Sequence, residues 1–237
     1  MSETERLYQQ RTGAVAFDEG LRKYMLGVYN YMALGIAGTA LIAFFLLLNP
    51  PVASAIISVR FIPFIGIIGL GFLAPRMIMN GSAAMAHGAY WGYVALWGML
   101  IGPIVASFVG AGLAGIVAQA FFITATVFLA MSLYGYTTKK DLSPMGKFLF
   151  MASIGLLIAI VVNFFLGSEL LSFGISALVV VVFSGVTAYE TQMIKNLYVQ
   201  GGGEQNNRMA IFGAFALYGT FVTLFIHILN LLALSRD

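Results

Sequence analysis

The chain has 237 residues, of which 60% are apolar and only 9% charged, with a formal net charge of +3. Soluble domains contain about 45–50% apolar and about 25% charged residues, so this composition is that of a polytopic membrane protein. The absence of cysteine excludes disulfides, thiolate metal sites and thiol nucleophiles. Basic residues at helix ends account for the small positive charge, and nucleic acid is not expected as a partner.

Seven long apolar runs predict seven transmembrane helices, because about 20 apolar residues span the hydrocarbon core of a bilayer. We expect them near residues 25–48, 53–75, 87–108, 113–136, 145–167, 170–195 and 208–234. The second run is interrupted by Arg60 and Pro63. The predicted fold is an all-α polytopic bundle in which residues 25–237 form one seven-helix domain. Residues 1–24 are expected to form a cytoplasmic N-terminal arm.

The distribution of basic residues predicts the orientation in the membrane, because Lys and Arg near helix ends are retained on the cytoplasmic side. Two basic residues, Arg60 and Arg236, are expected on one side. The other ten are expected on the opposite side: Arg6, Arg11, Arg22, Lys23, Arg76, Lys139, Lys140, Lys147, Lys195 and Arg208. The N-terminus is therefore predicted to be cytoplasmic. The side of the C-terminus stays open, since the seventh run is the most polar.

Span three contains two glycine pairs at four-residue spacing, Gly88 with Gly92 and Gly98 with Gly102. Such pairs let another helix approach closely. They indicate packing within the bundle, and homodimerisation is the alternative.

Glu190 is the only carboxylate inside any of the seven apolar runs. A charged side chain at the centre of a bilayer costs about 2.5–3.5 kcal/mol on insertion scales, so such residues usually face a partner or water. We interpret Glu190 as a functional group. The alternatives are an ion pair with Lys195, five residues later, and an interfacial carboxylate that reaches the headgroups.

Span seven carries a small and polar stripe at three- and four-residue steps, which places its members on one helical face. The stripe comprises Gly213, Ala216, Thr220, Thr223, His227 and Asn230. In lipid this face must point into the bundle, where it either bonds to neighbouring helices or lines water. His227 is correspondingly either a proton relay or a satisfied core residue.

Residues 188–195, Ala-Tyr-Glu-Thr-Gln-Met-Ile-Lys, resemble the Tyr-Asp-Thr-Gln signature that ends the sixth span of the Bax inhibitor-1 superfamily. Three further stretches fit that family: Thr-Lys-Lys-Asp-Leu-Ser at 138–143, Gly-Phe-Leu-Ala-Pro-Arg at 71–76 and Leu-Tyr-Gly-Thr-Phe-Val-Thr-Leu-Phe at 217–225. The resemblance follows nearly the whole chain in order.

The resemblance implies a seven-helix bundle whose last helix is surrounded by the other six, in the inner membrane of a bacterium. Members are described as pH-sensitive calcium leak channels or as suppressors of cell death, and some bacterial ones act on a membrane protease. In channel-type members two aspartates, in spans six and seven, share protons under the control of an arginine in span two. Glu190 matches the first aspartate and Arg76 the arginine.

The chain departs from that pattern in span seven, where Thr220 replaces the second aspartate and Thr223 an asparagine. Two adjacent carboxylates cannot both ionise easily, and a single glutamate lacks that mutual repulsion. Ca²⁺ favours several oxygen ligands that include carboxylates. We therefore expect Glu190 to be a weak calcium ligand, with no cofactor beyond Ca²⁺ as a permeant or regulatory ion.

Two functional hypotheses follow. The first is a Ca²⁺ or H⁺ leak pathway in which Glu190 binds the ion, Arg76 closes the route, and a polar face lines it. That face comprises Thr220, Thr223, His227 and Asn230. The second is a non-transporting regulator, in stress or cell-death suppression, that docks a membrane protease or another membrane protein. The oligomeric state stays open in both.

An intramembrane enzyme is not expected. Ser82 and Ser184 lack a surrounding nucleophile motif, although serine and histidine can form a catalytic pair. His87 and His227 are predicted to lie on opposite sides of the membrane, which argues against a metalloenzyme.

Overall fold

The computed structural model describes the backbone of residues 3–235 and the side chains of residues 19–235. This part of the chain folds into eight α-helices without strands. They are α1 (Glu3–Leu48), α2 (Pro50–Ser58), α3 (Phe61–Asn80), α4 (Ala83–Gly110), α5 (Ala114–Thr137), α6 (Ser143–Leu166), α7 (Glu169–Asn196) and α8 (Gly203–Leu234). The side chains of Arg6 and Arg11, and all of Arg236, lie outside the described residues.

Seven of these helices, all except the nine-residue α2, are long and apolar enough to cross a membrane. The predicted all-α polytopic architecture is thereby confirmed. The backbone of α1 continues without a break through residue 24, and its apolar portion is Glu19–Leu48. Successive crossings bring the described basic residues other than Arg60 to one end of the bundle, here called the basic end. The opposite end, called the Arg60 end, contains the junction between α2 and α3.

The second predicted span, 53–75, was wrong at its start, because the chain turns at Val59 and Arg60. Residues 50–58 form the separate helix α2, and the membrane-crossing helix begins at Phe61. Pro63 explains the break. A proline ring clashes with the carbonyl four residues earlier, here that of Val59, but is tolerated in the first turn of a helix. Its missing N–H costs nothing there.

Helix α8 lies at the centre of the bundle. In the most apolar 18-residue stretch of α8, 78% of the residues are buried, whereas the corresponding fraction is 11% to 39% in the other six membrane-crossing helices. It packs against α1, α3, α4, α5 and α7, whereas α6 packs against α7 on the periphery. The family resemblance implied that six helices surround α8, and the structure shows five helices packed against it. A helix enclosed by protein on all sides can carry polar groups, provided that its neighbours supply partners.

The glycine pair in the second half of α4 packs against α1 within the same chain. A Cβ on Gly98 would lie 2.5 Å from Ile42 Cδ1, and one on Gly102 would lie 3.4 Å from the Cα of Ala43. The interpretation of these glycines as internal packing residues is confirmed. Gly88, by contrast, faces open space.

Gly135 allows the closest approach of α5 to α7. A Cβ there would meet the backbone of Ala188, with the Ala188 Cα at 2.9 Å. We expect Gly135→Ala to force the two helices apart and to lower the free energy of unfolding by about 1–3 kcal/mol, as overpacking typically does. The measurement is thermal unfolding of the purified protein in detergent.

Gly155→Ala in α6 is the matched control, since a Cβ at Gly155 meets nothing within 4 Å. Its melting temperature should stay at or above that of the wild type. An equal loss of stability in both variants would contradict the close approach at Gly135.

Candidate functional site

Glu190 of α7 faces the central helix. Its Oε2 atom accepts a hydrogen bond of 2.7 Å from the hydroxyl of Thr220 on α8. Thr220 is 4% exposed, and Glu190 is partly buried. The carboxylate thus points into the bundle, toward α8. Thr220 occupies the position at which the resemblance implied a second aspartate, and it satisfies one lone pair of the carboxylate instead.

The two side chains lie at the same depth. Along the chain, Glu190 is close to the C-terminal end of α7, whereas Thr220 is near the middle of α8. Glu190 lies six residues, or about 9 Å, before the end of α7, whereas Thr220 lies 17 residues, or about 26 Å, after the start of α8. Because these side chains touch on antiparallel helices, the first turns of α8 extend beyond the end of α7. Counting residues inward from the start of each helix cannot reveal this offset between α7 and α8.

Aromatic side chains of α4 and α8 enclose the site on one side. Tyr93 is 8% exposed and lies close enough to interact electrostatically with Glu190. Its ring packs against Phe215 at 4.2 Å between centroids. Gly219 makes room for the tyrosine, because a Cβ at Gly219 would lie 2.7 Å from the Tyr93 hydroxyl. The carboxylate therefore has apolar ring surface beside it as well as a hydroxyl donor.

None of the basic side chains that the structure describes forms an ion pair with Glu190. The ammonium of Lys195 donates instead to the carbonyl of Tyr136 at 2.8 Å and lies 4.9 Å from the centroid of the Tyr136 ring. The ion pair between Glu190 and Lys195 that the sequence left open is therefore absent. Arg76 is exposed, and its guanidinium makes no hydrogen bond or ion pair within the described part of the chain. The structure does not bring Arg76 to the carboxylate.

The next residue of the α7 motif, Thr191, joins three helices. Its hydroxyl lies 3.0 Å from that of Ser132 on α5, which in turn lies 2.6 Å from the Tyr29 hydroxyl on α1. Thr191 also donates to the carbonyl of Thr187. Sequence reasoning missed Tyr29 and Ser132 because one polar residue in an apolar run carries no signal of its partner.

Gln192 connects the same motif to the loop between α5 and α6. Its amide accepts from the N–H of Leu142 and donates to the carbonyl of Lys140, each at 2.8 Å. In that loop the N–H of Ser143 donates to Asp141, which lowers the pKa of that exposed carboxyl. The Tyr-Glu-Thr-Gln run and the Lys-Lys-Asp-Leu-Ser run, 50 residues apart, thus form one contact region.

A second polar cluster lies toward the Arg60 end. His227 Nδ1 is 3.0 Å from the hydroxyl of Ser176, and the amide of Asn230 donates to Ser176 at 2.8 Å and to Ser172 at 3.0 Å. Ser172 and Ser176 were missed by sequence reasoning. Their four-residue spacing on α7 was the available signal, since it places both hydroxyls on one helical face. His227 and Asn230 thus hydrogen-bond to α7, which is one of the two possibilities that the sequence left open for the stripe.

Thr223 lies between the two clusters along α8 and hydrogen-bonds to neither of them. Its hydroxyl donates to the carbonyl of Gly219 within α8. His227 lies seven residues, or about 10 Å, beyond Thr220 along the helix axis. The stripe predicted from the sequence therefore consists of two separate hydrogen-bonded clusters, with Thr223, His227 and Asn230 also lining a cavity of about 520 Å³.

The described residues contain no group of three His, Cys, Asp or Glu side chains that could hold a metal ion. A calcium ion at Glu190 would have the Thr220 hydroxyl as its neighbouring oxygen ligand. Hard cations favour six to eight oxygen ligands, so this arrangement can supply only part of a coordination shell.

These features define a polytopic all-helical membrane protein with a partly buried acid bound to its central helix. Residues 21–237 match the model of the family described as "Inhibitor of apoptosis-promoting Bax1". The chain belongs to this Bax inhibitor-1 family, which confirms the resemblance. It is 39% identical to the uncharacterized protein RP147 of Rickettsia prowazekii, over 93% of each chain. It is 37% identical to inner membrane protein YbhL of Escherichia coli K12, over 92% of this chain and 94% of that protein.

The hydroxyl of Thr220 should contribute measurably to stability. We expect Thr220→Val to lower the free energy of unfolding by about 0.6–2 kcal/mol, the range measured for hydrogen bonds between membrane helices. The physical reason is that valine keeps the volume and removes the donor to Glu190. Thermal unfolding in detergent measures the difference.

Thr223→Val is the matched control on the same helix, because the Thr223 hydroxyl donates to the carbonyl of Gly219 within α8 and not to another helix. It should unfold within about 0.5 kcal/mol of the wild type, as substitutions away from special features usually do. A larger loss in the Thr223 variant than in the Thr220 variant would contradict the importance of the interhelical bond.

Proposed function

We propose that this protein forms a pH-sensitive cation leak pathway in a bacterial inner membrane, with Glu190 as the residue that binds the permeant Ca²⁺ or H⁺. The inner-membrane location is supported by the similarity to the E. coli inner membrane protein YbhL. The N-terminus is proposed to be cytoplasmic from the excess of basic residues at the basic end.

The observation that carries the proposal is the hydrogen bond between Glu190 and Thr220 at the centre of the bundle. An intramembrane carboxylate without a basic partner is a functional candidate by default. Its one strong contact is to a neutral hydroxyl, which can donate to the carboxylate and, when Glu190 is protonated, can also accept from it. The same contact can therefore persist in both charge states.

Helix α8 supplies the remainder of the proposed route. Thr223, His227 and Asn230 follow Thr220 along its axis and line the cavity of about 520 Å³ toward the Arg60 end. Neutral histidine and hydroxyl groups can pass protons or coordinate cations. The proposed latch at Arg76 would require its exposed guanidinium to move toward Glu190. In the structure, Thr220 donates to one of the two carboxylate oxygens that such a latch could bind.

A non-transporting regulator is the second candidate. It is favoured by the way in which three consecutive residues, Glu190, Thr191 and Gln192, each hold α7 to a different part of the bundle. On this hypothesis the motif rigidifies a surface that docks a membrane protease or another membrane protein. The prediction that the protein is not an enzyme stands beside both candidates.

Removal of the Glu190 charge should reduce cation flux. We expect Glu190→Gln to lower calcium and proton leak in proteoliposomes several-fold and to flatten its pH dependence. Glutamine keeps the side-chain length and a carbonyl acceptor for Thr220, but it cannot bind a proton or neutralise a cation. Flux is measured with an entrapped calcium dye and an entrapped pH dye.

Thr191→Val is the matched control, since Thr191 bonds to Ser132 rather than to Glu190. Its flux should match the wild type after correction for the amount of folded protein. Equal leak in the wild type and the Glu190 variant, with a loss of stability in the variant alone, would reject the pathway and favour the regulator.

A second carboxylate at position 220 should strengthen calcium sensing. We expect Thr220→Asp to shift the calcium dependence of flux to lower concentrations and to make it steeper between pH 6 and 8. Paired carboxylates offer more oxygen ligands to Ca²⁺ and cannot both ionise readily without a bound cation or proton. Flux is measured against calcium concentration at several pH values.

Thr220→Asn, which is close in size to aspartate but uncharged, separates charge from shape. It should not shift the calcium dependence. A shift of the same size in both variants would show that the second carboxylate charge is not the cause.

A further inference from the structure

A groove opens sideways between α3 and α6, because these two helices do not pack against each other along their lengths. The inner part is the cavity of about 520 Å³ lined by α3, α4, α6, α7 and α8. An outer cavity of about 260 Å³ continues it to Arg60, and the two share Phe64, Leu100 and Ile160. We call the two cavities together the lateral groove.

The lateral groove has the depth of one membrane leaflet. Along α6 it extends from Ser153 to Phe165, which is 12 residues or about 18 Å. Half of a hydrocarbon core about 30 Å thick is about 15 Å. Its walls are apolar, with Ile68 and Leu100 on one side and Leu157 on the other. A single acyl chain that enters from the Arg60 end matches this length and chemistry.

Several polar groups on the groove floor already have partners, whereas the buried Nε1–H of Trp97 has no hydrogen-bond partner among the described residues. Thr223 donates to the carbonyl of Gly219, Ser153 donates to the carbonyl of Leu149, and His227 bonds to Ser176. The floor can therefore be covered by an apolar chain without loss of a hydrogen bond. This favours a hydrocarbon occupant over a small polar molecule.

The mouth of the lateral groove carries the positive charge of Arg60, which has no ion-pair partner within the part of the chain that the structure describes. The Arg60 guanidinium lies 5.5 Å from the ring centroid of Phe61 on α3 and 5.4 Å from that of Phe164 on α6. These two rings meet edge to face, with centroids 5.3 Å apart. Glu169 is the carboxylate that the described residues place at this end, and it does not lie within 4 Å of Arg60. A positive charge held at the headgroup level complements a phosphate.

We propose that the lateral groove binds an anionic phospholipid, with one acyl chain between α3 and α6 and the phosphate at Arg60. The bound chain would cover Thr223 and His227 from the side of the membrane. Ordinary lipid that fills the groove without regard to headgroup charge is the alternative occupant, and the role of Arg60 distinguishes the two.

Trp97 reports on the occupant, because it lines the inner part of the lateral groove. The other tryptophan, Trp91, is 40% exposed. The experiment therefore uses a Trp91→Phe variant, in which Trp97 is the remaining tryptophan. The full-length Trp91→Phe protein is reconstituted into phosphatidylcholine vesicles that contain a small fraction of brominated phosphatidylglycerol or brominated phosphatidylcholine. Bromine on an acyl chain quenches an indole that it contacts. We expect stronger quenching by the phosphatidylglycerol at equal mole fraction.

Three variants then test the site. Arg60→Gln should reduce the preference for phosphatidylglycerol about fivefold, the effect of one basic residue near an anionic headgroup. Arg22→Gln, an exposed arginine at the basic end, should leave the preference unchanged. Ser153→Phe should fill the inner groove and abolish the additional quenching, and thermal unfolding verifies that each variant is folded.

Several outcomes would overturn the proposal. Equal quenching by the two lipids, or a preference that survives Arg60→Gln, would show that headgroup charge is not recognised. Stronger quenching by a brominated free fatty acid at the same mole fraction would assign the groove to that ligand instead. Protection of Trp97 from every brominated lipid would show that protein, such as a second copy of the chain, covers the groove.

Discussion

Every polar side chain in the interior of this bundle needs a partner inside the protein, because the surrounding hydrocarbon offers none. The contact between Glu190 and Thr220 is the strictest case, since it places a carboxylate at the core of the structure. Its requirement explains why α8 is central. Only a helix enclosed by five others can present a hydroxyl to an acid from α7 and keep both away from lipid.

The hydrogen bonds of the α7 motif show how a few side chains determine the helix arrangement. Glu190 holds α8, Thr191 reaches Tyr29 through Ser132, and Gln192 holds the loop before α6. Hydrogen bonds between membrane helices contribute about 0.6 kcal/mol each on average, so no single one of them holds the bundle together. These hydrogen bonds instead determine orientation, because they fix which face of α7 contacts α5, which contacts α8 and which contacts the loop before α6.

The two polar clusters and the lateral groove give the bundle an asymmetric interior. Near the basic end the interior is closed by aromatic rings such as Tyr93 and by close helix packing. Toward the Arg60 end it opens sideways, because α6 packs against α7 and does not pack along α3. A pathway along α8 would therefore meet protein on all sides at Glu190 and lipid on one side at His227.

Apolar run length and charge spacing were sufficient to determine the class of fold, the number of crossings and the selection of Glu190, because all three follow from the local cost of placing polar groups in lipid. The sequence also placed Thr220, His227 and Asn230 on one face of the last helix. Only the tertiary structure decided their partners. The overhang of α8 placed Thr220 at the depth of Glu190, the position of Ser176 determined the contact of His227, and the exposure of Arg76 kept it apart. Those outcomes depend on relative helix shifts of several ångströms, which are set by packing contacts such as Gly135 against Ala188 between residues distant in the chain.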